Sequence, residues 1–217
     1  MSLNQKTILN ALEVMKEKTK KKNFTQSIEL IVNLKDIDMK SPESRIREVI
    51  DLPNSLPGKT NKICIIASGE LALKAKNEGV ELVIEKGNLE AIGGQKKEKR
   101  KIANEYDFFI AEASLMSSVG RIFGAFLGPK GKMPIPITPS ADLKEVIKKY
   151  RKTIIIRLRN QPVIHCRVGN EKMKLIEVVE NILAVLRVLE RKLKRGVKNI
   201  KSMYVKSTMG IPVKIQL

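Results

Sequence analysis

The 217 residues suffice for one large domain or two small ones, and the 42% apolar content excludes an intrinsically disordered chain. Forty-two Lys and Arg against 23 Asp and Glu leave a formal charge of +19, a self-repulsion that a polyanion relieves, so nucleic acid is the expected partner. Two cysteines, Cys64 and Cys166, and one histidine, His165, are too few ligands for a structural metal cluster.

The first predicted element is a helix over 5–21, with Ile8, Leu12 and Met15 on one side. Its lysine-rich end (Lys16, Lys18, Lys20, Lys21, Lys22) suits a helix C-terminus and equally suits phosphate contact. Residues 24–34 alternate as a half-buried strand. Phe24, Ile28, Leu30, Val32 and Leu34 take one face, and Thr25, Ser27, Glu29 and Asn33 mostly fill the other. A short strand over 46–52 precedes Pro53 and the Pro57-Gly58 turn.

From Lys62 the pattern changes. Apolar runs at 63–67, 80–84 and 108–111 alternate with helical stretches at 70–77 and 95–104, which predicts a parallel sheet in a small α/β domain. A helix over 115–127, an irregular Gly/Pro loop over 129–139 and a helix over 141–150 complete this region. Alternation then returns in strands at 153–159 and 163–168, around an Asn160-Gln161-Pro162 turn. The strongest helix follows, with Leu175, Val178, Ile182, Val185, Leu186, Leu189 and Leu193 in its stripe and Arg195-Gly196 at its end. A last strand runs through Met203-Tyr204-Val205-Lys206.

The simplest topology is nested. Residues 1–62 and 154–217 share one antiparallel sheet backed by two helices, and residues 63–153 form an α/β insertion. The outer segments hold 12 and 14 basic residues against 8 and 4 acidic ones, or +14 of the total, which places the nucleic-acid surface there.

Catalytic motifs are absent or incomplete. Gly58-Lys59-Thr60 resembles the end of a P-loop, but Pro53 stands where that motif needs glycine. The turn Ser68-Gly69-Glu70 lacks the glycine fingerprint of a dinucleotide site. His165 shares a strand face with Val163 and Arg167 and has no evident catalytic partner. No enzyme and no cofactor are expected. The two cysteines lie in apolar runs and read as buried thiols in a reducing, cytoplasmic compartment. A membrane partner is not expected, because the apolar runs are short, Met1-Ser2-Leu3 offers no myristoylation glycine and Lys214-Ile215-Gln216-Leu217 no prenylation cysteine. Ser207-Thr208-Met209-Gly210 combines two hydroxyls, a flexible apolar side chain and a glycine. Such a group hydrogen-bonds ribose hydroxyls while excluding water.

The stretch from Val119 through Gly120-Arg121-Ile122-Phe123-Gly124 to Gly128-Pro129-Lys130-Gly131-Lys132-Met133-Pro134 resembles the signature of the ribosomal L-one family. Phe24-Thr25-Gln26-Ser27-Ile28-Glu29, Ile164-His165-Cys166-Arg167-Val168-Gly169 and Ser207-Thr208-Met209-Gly210 agree with it in order, and the wording of the insertion resembles archaeal members. The resemblance implies an α/β (α+β) protein of two domains, a split β-α-β antiparallel sheet domain with an inserted Rossmann-like α/β domain. It implies a constituent of the large ribosomal subunit that binds 23S-type rRNA, forms the mobile side stalk and assists release of deacylated tRNA from the exit site. It also implies repression of translation through the leader of its own mRNA, and a monomer when free. Carried over by motif, the RNA-binding residues are Phe24, Ser27, Glu29, His165, Arg167, Gly169, Asn170, Ser207, Thr208, Met209 and Gly210, with Arg167 and Asn170 departing from the commoner bacterial residues. The Gly/Pro signature is expected to shape the inserted domain rather than carry affinity. Two rival readings are a free RNA-binding regulator and an RNA-modifying enzyme with a cofactor domain.

Overall fold

The computed structural model describes residues 4–38, 46–58, 60–139, 141–158 and 161–216. Met1-Ser2-Leu3, Lys59 of the P-loop-like triplet, Arg159-Asn160 of the predicted strand and turn, and Leu217 lie outside them. The chain divides into two compact units, Met1–Lys59 with Lys152–Leu217, and Thr60–Arg151. Both mix helices with sheets. Among the described residues no helix is long and apolar enough to cross a membrane.

Unit 1 is a four-stranded antiparallel sheet in the order β10-β9-β1-β8. Its strands are β1 (Ser27–Leu34), β8 (Val163–Asn170), β9 (Ile200–Ser207) and β10 (Val213–Ile215). The period-2 alternation of β1 buries Ile28, Leu30, Val32 and Leu34. They pack with Ile8, Leu12 and Met15 of α1 (Gln5–Lys18) and with Val178, Ile182, Val185 and Leu189 of α7 (Leu175–Lys192). Truncating Leu30, which has no exposed surface, costs roughly 2–5 kcal/mol.

α1 stops at Lys18, three residues short of the expected end, because the Thr19 hydroxyl bonds back to the Met15 carbonyl at 2.6 Å and its backbone turns extended. At the other helix, Glu177 accepts from the Lys174 N–H at 3.2 Å and closes the first turn of α7. Unit 1 departs from the single predicted sheet. β2 (Arg47–Asp51) and β7 (Thr153–Arg157) pair with each other as a separate two-stranded ladder, Asp51 opposite Thr153. Ile50 and Ile156 still point into the common core.

Unit 2 carries a parallel sheet in the order β4-β3-β5-β6, from β3 (Ile63–Ile66), β4 (Leu82–Ile84), β5 (Phe108–Glu112) and β6 (Ile135–Ile137). Its helices are α2 (Gly69–Asn77), α3 (Lys86–Gly93), α4 (Lys96–Glu105), α5 (Met116–Leu127) and α6 (Leu143–Arg151). β3 and β5 are buried along their whole length, as strands covered on both faces must be. The Gly/Pro signature has a local task. Lys132 donates to the carbonyls of Ala103 and Tyr106 at the end of α4, and Lys130 donates to Asn104. α3 was not anticipated, and β6 replaces part of the expected irregular loop.

Candidate nucleic-acid interface

The three motifs of unit 1 meet at one end of its sheet. Ser207, the last residue of β9, lies opposite Ile28, so the Ser207–Gly210 turn folds beside the start of β1. The Thr208 N–H donates to the Ser27 carbonyl at 3.0 Å, and the Thr208 hydroxyl accepts from the Ser27 N–H at 3.1 Å. Gln26, fully buried, fastens the arrangement. Its side chain donates to the Lys20 carbonyl and accepts from the Met209 N–H, and its own carbonyl accepts from the Glu171 N–H. Behind the turn, the Ser207 and Thr19 hydroxyls lie 3.0 Å apart.

This anchoring leaves a mixed surface. Met209 is 65% and Phe24 51% exposed, beside the lysine run Lys20-Lys21-Lys22, which is also exposed. Phe24 therefore does not share the buried face of β1. The strand begins only at Ser27, and the preceding residues are free of its alternation. An aromatic and a thioether left in water next to cations form a surface suited to stacking and to covering sugar hydroxyls.

Further along the sheet, Glu29 lies opposite both Arg167 of β8 and Lys206 of β9, so its carboxylate is flanked by cations. His165 is exposed opposite Ile31, two pairs beyond Glu29 and Arg167 and so on the same face. Burial lowers the Arg167 guanidinium from its usual range, and burial pushes the neighbouring Cys166 thiol up to about 12, with the Glu29 charge adding to it.

Asn170 and Gly169 sit behind this surface. Asn170 is 2% exposed. Its amide donates to the Pro57 carbonyl at 2.8 Å, and its side-chain oxygen accepts from the N–H groups of Lys172 and Met173. Gly169 packs on α7, where a Cβ would come within 2.8 Å of Val178. Arg167 also donates to the Pro57 carbonyl. Asn181, buried in α7, in turn holds the 52–58 loop by accepting from the Asn54 N–H and donating to the Asn54 and Val168 carbonyls. Gln26, Thr19 and Asn181 escaped the sequence reading. Only Gln26 gave a signal, as a long polar residue among apolar positions at a strand start.

In unit 2 the place where open α/β sheets hold anionic ligands is the crevice at the carboxyl ends of β3 and β5. Here Glu112 occupies it. Its carboxylate accepts from the Ser68 N–H at 2.9 Å, the Ser68 hydroxyl at 2.7 Å and the Ser114 hydroxyl at 2.5 Å. A negative, satisfied side chain fills the position a phosphate would need. Among the described residues no cluster of three metal-ligating side chains forms.

The sequence profile described as the Ribosomal protein L1p/L10e family matches residues 15–211, which include every one of these motifs. The chain belongs to this family. Its relatives include proteins named large ribosomal subunit protein uL1. The one from Methanothermobacter thermautotrophicus is 46% identical over 211 residues, covering 97% of this chain and 99% of its own length. That of Pyrococcus abyssi is 45% identical, covering 100% and 98%. That of Methanocaldococcus jannaschii is 44% identical, covering 99% and 97%. Family members of this length match the whole two-unit chain, not one unit alone.

Proposed function

We propose that the chain is a cytoplasmic structural constituent of the large ribosomal subunit, and no enzyme, which binds large-subunit rRNA directly through unit 1. The reading is carried by the convergence of Ser27, Thr208 and Met209 into one anchored, partly apolar turn beside an exposed lysine run. Lysines hold phosphates and make affinity fall with salt. The turn reads a fixed RNA shape through backbone and 2′-hydroxyl contacts. Within the ribosome, such a protein forms the mobile side stalk and assists the departure of deacylated tRNA. A leader in its own mRNA that imitates the rRNA site makes it a translational repressor.

Thr208→Val tests the reading. The hydroxyl holds the Ser27 N–H, so its loss leaves that donor unpaired against RNA and weakens rRNA binding by roughly 1–3 kcal/mol, measured by calorimetry on a variant shown to be folded. Unchanged affinity overturns the role of the turn. A free regulator is distinguished by sedimentation, since a constituent stays with large subunits through a salt wash. The occupied crevice at Glu112 counts against the cofactor-dependent enzyme.

A further inference from the structure

Where α1 ends and α7 begins, unit 1 contains an open cavity of about 400 Å³. This is within the range of ligand pockets, roughly 300–1,000 Å³. Met15, Ile28, Met173 and Leu175 supply apolar wall, and four lysines, Lys16, Lys20, Lys21 and Lys22, border it against one carboxylate, that of Glu171. Ser207 also lines it, which makes the cavity continuous with the turn that carries Thr208 and Met209.

The protons at its polar wall can be assigned. A carbonyl only accepts, so the Thr19 hydroxyl donates its single proton to the Met15 carbonyl at 2.6 Å. The 3.0 Å bond between Thr19 and Ser207 is then donated by Ser207. Ser207 Oγ keeps acceptor capacity, on a residue that lines the cavity and is only 2% exposed. A cavity with thioethers on its walls, one buried acceptor and a cationic mouth calls for a flat, polarisable ring that carries an N–H and is attached to an anion.

The geometry points to an unstacked base of the bound RNA as the occupant. Its ring enters between Met15 and Met173, an amino or imino group donates to Ser207 Oγ, and its flanking phosphates take the lysines. An apolar chain would satisfy the methionines but use neither the acceptor capacity of Ser207 Oγ nor the charge of the lysines. The inference rests on unit 1 being the RNA-binding unit, and it adds a base-specific contact to a surface otherwise read as recognising backbone shape.

The test uses the full chain with ¹³C-labelled methionine methyls and the rRNA fragment it protects from nuclease. Binding is expected to shift the Met15 and Met173 resonances as well as that of exposed Met209. In the complex one base becomes unreactive to reagents for the Watson–Crick edge. Met173→Trp, which fills the cavity, restores that base's reactivity and weakens binding on the order of tenfold while phosphate protections remain. If Met209 responds and Met15 and Met173 do not, the cavity assignment fails and the RNA-binding reading stands. If the rRNA does not bind at all, both fail. A shift of Met15 and Met173 by free nucleoside monophosphates but not by the RNA fragment assigns the cavity to a free ligand and overturns the proposal. The methyl measurement needs only the unsubstituted protein, so it decides even where Met173→Trp does not fold.

Discussion

A Cβ at Gly210 would overlap the Ser207 hydroxyl and press within 3.2 Å of that of Thr19. The glycine there is a matter of close approach, since its neighbours and not its φ forbid a side chain. Gly210→Ala forces Ser207 to rotate and separates the β9 turn from the end of α1, costing roughly 1–3 kcal/mol. Ser207→Ala removes the obstructing oxygen, so the double variant recovers part of that loss. Urea unfolding of the two single variants and the pair gives the coupling as a double-mutant cycle. The terminal motif was readable as a motif. That its Ser is bonded to Thr19, and that its Thr is anchored on Ser27, was not, because those partners stand 181 residues or more away in sequence.

Among the elements, the 52–58 loop joins the β2–β7 ladder to α7 and the site. Asn181→Leu breaks its three bonds to Asn54 and Val168 and leaves buried backbone groups unpaired, costing roughly 1–3 kcal/mol. Faster hydrogen exchange at the Asn54 amide locates the damage. In unit 2 the Ser114 and Ser68 hydroxyls and the Ser68 N–H hold the Glu112 carboxyl below its ordinary range. A depressed folded pKa contributes stability above the unfolded value, about 4.3, and that stability is lost as pH falls through the lower folded value. Glu112→Gln is therefore less stable than the parent at neutral pH and flatter across the acid range, as denaturant titrations at a series of pH values will show.

Long periodic elements were legible in the sequence, because their apolar stripes are the core itself. β1, α5 and α7 are within three residues of the expected spans at each end. The shortest were not. β6 is three residues with Pro136 in the middle and lies at the sheet edge, where a missing N–H is tolerated. α3 buries only Leu89 and carries two glycines, so it has no stripe to detect. The splitting of β2 and β7 from the main sheet has no signature in either strand, since alternation sets a strand's faces and not its partner.

At the scale of the molecule, Asp51 and Thr153 face each other across the β2–β7 ladder, joined by a 2.7 Å bond from the Thr153 hydroxyl to the Asp51 carboxylate. The Asn61 side chain donates to the Tyr150 carbonyl at 2.9 Å, so the two ends of unit 2 lie side by side. A chain with residues 60–151 replaced by a short glycine-containing linker is expected to fold and to keep most of the affinity for rRNA, by filter binding across a salt series. Loss of binding in a folded product moves the site to unit 2.

β1 lies between β8 and β9, both of which come from the C-terminal third of the chain. During synthesis, β1 and α1 therefore emerge before their partner strands and must wait about 130 residues of elongation, several seconds or more at roughly 5–20 residues per second. The intervening segment contains every strand of its own parallel sheet and is free to settle first. The nascent N-terminus, with its row of unpaired aliphatic side chains, is the stretch most in need of a chaperone's cover.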